Sequence, residues 1–277
     1  MAYQNFIPTV WAEAINRELE RKLVFAEDCN RQYEGTVKKM GDTVRILGVG
    51  KPTVTETVDK EISLDPPETV EDTSVTLPIR HIAYFNFKVD DIDKRQAVGG
   101  VMEALNAEAS QGVAGKMDQL IGSMALAKNA KLHAAAAVGI TKTNVMEELD
   151  KVLAMLYEND VAPDSKIVAT VPPWFYIVLR QAYTDLDTDN SAMLKNGKVG
   201  RYGNVTVKMS NNVAKSGEAS RIMVRTPQAV AFANPMTHTE AYRPESGFSD
   251  AVKGFALYDA KIVRPKELVV LNCKPGA

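Results

Sequence analysis

Several short stretches of this 277-residue sequence place together side chains whose types and spacing could do chemistry. The densest is Asp90, Asp91 and Asp93, which follow an alternating aromatic run, "HIAYFNFKV", with no turn residue between. Carboxylates this close could gather a divalent cation or divide the roles of general acid and general base. No histidine but His81 lies near them in sequence. Acids ahead of an apolar-periodic stretch suit the positive end of a helix, where each stabilises by about 0.3–1 kcal/mol. The spacing therefore predicts a helix start, not a metal site. A second acidic stretch, "DLDTDN", sets Asp185, Asp187 and Asp189 in alternate positions as a calcium loop does. Such a loop needs Gly at its sixth position and Glu at its twelfth, where this chain has Asn190 and Asn196. A solvated loop fits better.

The remaining candidates also fail on spacing. "GVGKPT", from Gly48, has the look of a phosphate loop's end, which requires Ser or Thr after the lysine and an earlier Gly five residues before Gly50. Pro52 and Arg45 stand there, so a turn between strands is expected. His81, His133 and His238 are the only histidines, and none accompanies a nucleophile elbow or a cysteine-protease signature. Cys29 and Cys273 lie far apart without metal-ligand spacing, which excludes a disulfide scaffold and a Cys-rich zinc site and fits a reducing compartment. No catalytic group, metal or cofactor is expected.

The elements that would carry these residues follow from composition and period. A 45% hydrophobic, 25% charged chain is ordinary for a globular protein with a sizeable core. The formal charge of −2 excludes a protein that neutralises many phosphates, so nucleic acid nearby is enclosed, not gripped. No signal peptide or membrane-spanning run is legible; the longest bulky apolar run is Trp174 to Leu179. Val10, Ala14, Leu19 and Leu23 line an amphipathic N-terminal arm that needs a partner. Residues 34–83 contain no Phe, Tyr or Trp, and 18 of the 45 residues from Thr36 to Arg80 are Thr, Val or Ile. From Glu56 to Asp72 seven acids face one base, Lys60, and Pro66 and Pro67 interrupt any ladder. This predicts a long β-hairpin or extended loop with an acidic tip, ordered only against something else.

From Asp90 the period changes. Val98, Met102, Leu105, Ala109, Val113, Met117, Leu120 and Met124 recur at helical steps, predicting a helix of roughly 35 residues, about 50 Å long, that its glycines could bend. Asn144 and Glu147 have capping-box spacing ahead of a second helix. "SKIVATV" reads as a buried strand, Pro172 and Pro173 open a helix, and "GNVTVKMS" and "ASRIMVRT" read as strands. Phe248 to Cys273 is strand-rich, with Pro265 as punctuation. The class is α+β.

In this order of elements, and in the wording of "IPTVWAEAINRELERKLVFA", "LNAEASQGVAGKMDQLIGS", "GRYGNVTVKMSNNV" and "GFALYDAKIVRPKELVVLNCK", the chain resembles the major capsid protein of tailed double-stranded-DNA bacteriophages. The resemblance implies the phage major-capsid fold: an N-terminal arm (1–33), an extended β-hairpin loop (34–88), a peripheral domain with a long spine helix (89–140 and 236–265), and an axial domain (141–235 and 266–277). It places the spine helix from Asp90 to Lys128 and joins the axial domain by a last strand, Lys266 to Cys273.

The function so implied is structural. Many copies would assemble into an icosahedral shell of pentamers and hexamers that encloses the phage genome without sequence-specific DNA binding. Partners would be copies of itself, a separate scaffolding protein, a portal protein and, where one is used, a decoration protein. The site would be the virion capsid, assembled in the host bacterial cytoplasm, without a membrane. Candidate subunit-interface residues are Val10, Leu19 and Leu23 of the arm; Val54, Glu56, Glu61 and Asp65 of the loop; and Asp187, Asp189 and Tyr202 at the axial edge. The alternative of the same fold is an encapsulin-like nanocompartment enclosing enzyme cargo. From a different class, a soluble enzyme would assemble a site around Asp90–Asp93 or Asp185–Asp189.

Overall fold

The computed structural model describes residues 23–32, 43–49, 72–90, 101–184, 200–244 and 249–276. Strands β1 (Thr43–Val49) and β2 (Asp72–Pro78) pair antiparallel, from Thr43 opposite Pro78 to Val49 opposite Asp72. The described ends of this β-branched stretch thus pair as antiparallel strands, and Gly48 and Val49 belong to a strand, not to a turn. The rest of "GVGKPT" and the acidic tip lie outside the described residues.

Strand β3 (His81–Asp90) carries the aromatic run. Ala83 is buried and Phe85 half-buried while Tyr84 and Asn86 are exposed, the alternation read from the sequence. Asp90 is the last strand residue, opposite Ser249. It does not begin the helix; Asp91 and Asp93 lie outside the described residues.

Helix α1 (Val101–Ser123) is the described part of the long apolar-periodic segment. These 23 described residues are about 35 Å long; the expected stretch between Asp91 and Gly100 lies outside the described residues. The helix stops short of Lys128: a 3-10 turn, Met124–Leu126, follows and Ala127 is extended. The Ser123 hydroxyl donates back to the Leu120 carbonyl at 2.6 Å, and a Cβ on Gly122 would collide with the Asn212 carbonyl oxygen. The helix end is therefore crossed by another segment at backbone distance. The buried face holds Val113 and Met117 as expected, but continues through Ser110, Ala114, Asp118 and Ile121.

The largest sheet is mixed and has eight strands: β4 (Lys131–Leu132), β5 (Val138–Ile140), β6 (Ile167–Val171), β7 (Arg201–Tyr202), β8 (Val205–Met209), β9 (Ala214–Ser216), β10 (Ala219–Arg225) and β13 (Leu268–Pro275). Its main order is β4-β13-β10-β6-β8-β7, with β5 on β13 and β9 on β10. Helices α2 (Val145–Glu158) and α3 (Pro173–Thr184) belong to the same core. Every residue of β6 is buried, as its unbroken apolar run predicts. Pro173 opens α3, where the missing N–H costs least. The capping box at α2 does not form. Asn144 instead accepts from the Thr141 N–H and donates to the Gly139 carbonyl, each at 2.8 Å, and Glu147 pairs with Lys151.

A third sheet runs β11 (Val230–Tyr242), β12 (Ser249–Ile262), β3, all antiparallel, with β3 at one edge. The register of β11 shifts between Ala233 and Met236, a bulge that accommodates Pro235. Gly254 of β12 is required by a close approach: a Cβ there would lie 2.5 Å from the Phe85 ring. The hairpin packs on this sheet through a separate small core of Val44, Ile46, Leu77, Ile79, Ala231, Ala233 and Leu257. No helix among the described residues is long and apolar enough to cross a membrane.

Candidate functional site

Two parts of this chain lead into residues outside the described ones: the turn from Leu23 that follows the arm, and the β1–β2 pair. The described residues show how each is rooted. Both roots use a buried aspartate that accepts backbone N–H groups.

At the arm root, Asp118 of α1 is 2% exposed. It follows Ala114 by four residues and precedes Ile121 by three, which sets it on the buried face. Its carboxylate accepts the N–H groups of Val24, Phe25 and Ala26 at 2.8, 3.0 and 3.2 Å. From the other side Arg225 of β10, 1% exposed, donates to the Phe25 carbonyl at 2.9 Å and to the Asp28 carbonyl. A short turn of chain is thus held by its donors and its acceptors at once. Asn30 completes the root: its N–H donates to Val230 at 2.9 Å, and its carbonyl accepts from Phe232 at 3.0 Å. Asp28, 2% exposed, meets Lys166 at 2.7 Å and Lys208 at 2.5 Å.

The electrostatics follow from these contacts. Burial raises the Asp28 carboxyl, but hydrogen bonds from Lys166 and Lys208 outweigh it and hold the group below its ordinary value. Burial dominates at Asp118 and leaves its pKa raised despite three N–H donors and the nearby Arg225. The Cys29 thiol, packed beside Arg225, is pushed up by burial.

At the hairpin root, Asp259 of β12 is 7% exposed. It accepts from the Arg80 N–H at 3.2 Å, where β2 gives way to β3, and from its neighbour Ala260 at 2.7 Å. Its pKa too is raised by burial. Lys261 donates to the Thr76 carbonyl at 2.6 Å, tying the returning strand to β12.

Of the residues singled out in the sequence, Leu23 is 5% exposed and lies in the main core of its own chain, where its apolar surface is already covered. Tyr202 is half-buried on β7; its hydroxyl donates to Asp150 at 2.8 Å and its ring meets Tyr183 edge-on. Burial and the Asp150 contact raise its pKa, keeping the phenol a donor. Val10, Leu19, Val54, Glu56, Glu61, Asp65, Asp187 and Asp189 lie outside the described residues. The histidines are dispersed. His133 accepts from the Asn272 N–H at 3.1 Å and meets Glu148 at 3.2 Å, while His81 packs on Tyr258 and His238 on Phe255. Among the described residues no group of three or more His, Cys, Asp and Glu could hold a metal ion.

Asp118, Arg225 and Asp259 were not legible as functional from sequence. The only available signal was a charged residue falling among apolar neighbours at helical or strand spacing, and Asp118 beside Met117 reads equally well as surface.

No protein-family model and no curated protein matches this sequence. Solved structures do. A structure titled Mycobacterium phage Che8 aligns with a TM-score of 0.74 at 28% identity, covering 90% of each chain. The capsid of cyanophage P-SCSP1u aligns at 0.70 and 14% identity, over 91% of this chain and 88% of that one. A virus-like particle from Pyrococcus furiosus aligns at 0.60 and 13% identity, over 94% and 96%. The chain has the phage major-capsid fold.

Proposed function

We propose that this chain is a major capsid protein, a structural subunit of which many copies close into an icosahedral shell around a phage double-stranded DNA genome. The observation that carries the reading is the 28% identity sustained over 90% of both chains together with a shared fold. A near-neutral charge of −2 agrees with it, since a wall that bound DNA tightly would oppose packaging and release. Contacts weak in themselves hold a closed lattice, because each neighbour raises the effective concentration of the next. The chain contributes surfaces, not a reaction.

In this reading the subunit divides into the arm (1–33), the loop (34–88), a peripheral domain (89–140 and 236–265) and an axial domain (141–235 and 266–277). The arm, the loop and the Asp187–Tyr202 edge meet neighbouring copies. A separate scaffolding protein and a portal take part in assembly, which proceeds in the host cytoplasm. The nanocompartment alternative is less favoured, because the similar solved structures are mostly phage capsids. The test is to express the chain with and without its candidate scaffold and inspect the product by size-exclusion chromatography and negative-stain microscopy. Shells, tubes or capsomers are expected, with nuclease-resistant DNA in particles from infected cells. A monomer or dimer at high concentration under every condition would overturn the reading.

A further inference from the structure

Strand β3 is an edge of the third sheet, paired with β12 on one side and with no described strand on the other. It runs ten residues with neither proline nor glycine, and its register against β12 has no bulge. Ile82 is 44% exposed and Tyr84 82%. Natural sheets shorten, charge, twist or cover such an edge, because its backbone donors and acceptors template another strand. On the helix side of the sheet Phe85 and Phe87 are only half-buried, their rings 6.1 Å apart. Beside Phe85 a groove of about 420 Å³ opens between β3 and α1, lined by Ala83, Ala109, Gly112 and Val113.

We propose that β3 continues its sheet into β3 of a second copy, the two strands antiparallel about a two-fold axis at Asn86; the proposal rests on the shell reading above and names one contact of that shell. Three features select a second copy as the occupant of this edge. The first is self-complementarity. Residues directly opposite in an antiparallel pair share a face, so a strand can pair with itself only about an axis through a residue. With the axis at Asn86, Tyr84 lies opposite Lys88, Phe85 lies opposite Phe87, and Asn86 faces itself. Each pair is compatible: an ammonium group against an aromatic ring, ring against ring, and an amide that both donates and accepts against its equal. An axis at Phe85 would instead set Lys88 opposite Ile82, a poorer match. Second, the groove is filled. The neighbouring copy's Phe87 arrives opposite Phe85 on the helix side, and Gly112 leaves it room, since nothing lies within 4 Å of a Cβ built there. Third, the helices fit. Each α1 lies over its own β12 and β3. With neighbouring strands about 4.8 Å apart, the order β12-β3-β3-β12 sets the two α1 axes about 10 Å apart, a distance at which helices pack.

The test uses the full chain. Asn86→Cys places one thiol on the axis, facing its own copy at the spacing of a cross-strand pair, which a disulfide can span. Tyr84→Cys lies on the same face and starts from a more exposed position, yet two such thiols would sit four residues apart along the strand, about 13 Å. The native Cys29 and Cys273 are buried and stay out of the reaction. After assembly and mild oxidation, Asn86→Cys should give at least tenfold more disulfide-linked homodimer on a non-reducing gel than Tyr84→Cys, and a mixture of Tyr84→Cys with Lys88→Cys should link as the heterodimer. Equal yields from the two single variants would overturn the proposal. Asn86 is exposed, and Asn86→Lys or Asn86→Asp sets like charges face to face on the axis. Each variant alone should lower shell yield at least tenfold while leaving the melting temperature of the unassembled subunit unchanged, and an equal mixture of the two should recover the yield. Wild-type yield from Asn86→Lys alone, or a mixture no better than either variant, would refute the axis at Asn86 with the shell reading intact. Failure of the wild-type chain to form any particle, with or without scaffold, would refute the shell reading itself.

Discussion

Replacing Asp118 with Ala removes the acceptor of three backbone donors, Val24, Phe25 and Ala26, held at 2.8, 3.0 and 3.2 Å. Each buried donor left without a partner costs about 1–3 kcal/mol, so a rigid segment would lose roughly 3–9 kcal/mol by that rule. Two effects reduce the sum. Burial already disfavours the ionised carboxylate, as its raised pKa shows, and its removal relieves that cost. The segment can also lift off and rehydrate its N–H groups, giving up instead the burial of Leu23 and Phe25, about 1.5–3 kcal/mol each. The smaller route governs, so the expected loss is about 2–5 kcal/mol. Urea unfolding of the unassembled subunit measures the total. Hydrogen exchange at Val24 to Ala26 identifies the route, because lift-off unprotects those amides while the strands of the main sheet stay protected. Asp118→Asn, which keeps one acceptor and turns an amide N–H₂ toward the donors, should fall between. A loss under about 0.5 kcal/mol with unchanged protection at residues 24–26 would refute the clasp.

Other outcomes can be checked separately. Glu148 is raised by burial but held below its ordinary 4.5 by hydrogen bonds from Lys151 and His133. A depressed carboxylate stabilises above its unfolded pKa and loses that contribution as pH falls through the folded value. The melting-temperature gap between wild type and Glu148→Gln should therefore be full near neutrality and close below about pH 4.5; a gap independent of pH would refute the assignment. Gly254→Ala drives a methyl into the Phe85 ring, 2.5 Å away, and to 3.0 Å from the His238 carbonyl. It should cost about 1–3 kcal/mol, partly recovered by Phe85→Leu in the same chain, with urea midpoints as the readout. Cys273 is fully buried and its thiol is pushed up to about 12 by burial. Together with Cys29, it should react with a thiol reagent at pH 8 only after unfolding, in a stoichiometric burst under denaturant.

The architecture was legible where one signal acts alone. The unbroken apolar run of β6, the Pro173 helix start and the alternation of β3 are local, and each appears as its sequence pattern predicts. The misreadings lie where a tertiary partner decides. Asp90 looks like a helix cap until Ser249 is placed opposite it in a sheet. Asn144 looks like half of a capping box, but its amide is taken by Thr141 and Gly139 instead of the helix N–H groups. The apolar stripe of α1 continues past Ser123, yet the Asn212 backbone crosses at Gly122 and the helix ends. The roots were invisible for the same reason: Asp118 and Arg225 acquire their role only when residues 94 and 200 positions away are brought to them.

That the arm root and the hairpin root both use buried aspartates follows from what these segments are made of. Without aromatics, the β1–β2 pair holds to its own body through a small aliphatic core, Val44, Ile46, Leu77 and Ile79 against the third sheet. Polar pins add to that hold, and they also fix direction, since a carboxylate accepting two or three N–H groups admits few orientations of the backbone that carries them. Direction matters more than strength at the far end. Contacts between subunits of a closed shell must be weak enough to form reversibly and to be corrected. The root must be stronger than the contact it serves, or load between subunits would peel the segment from its own chain before it parted the interface. On this argument a variant that weakens a root, such as Asp118→Ala, harms assembly through loss of direction. It should yield misshapen or mixed-size particles at subunit concentrations where the wild type gives one size. Fewer particles of a single, normal size in negative-stain distributions would show that the roots carry strength only and not geometry.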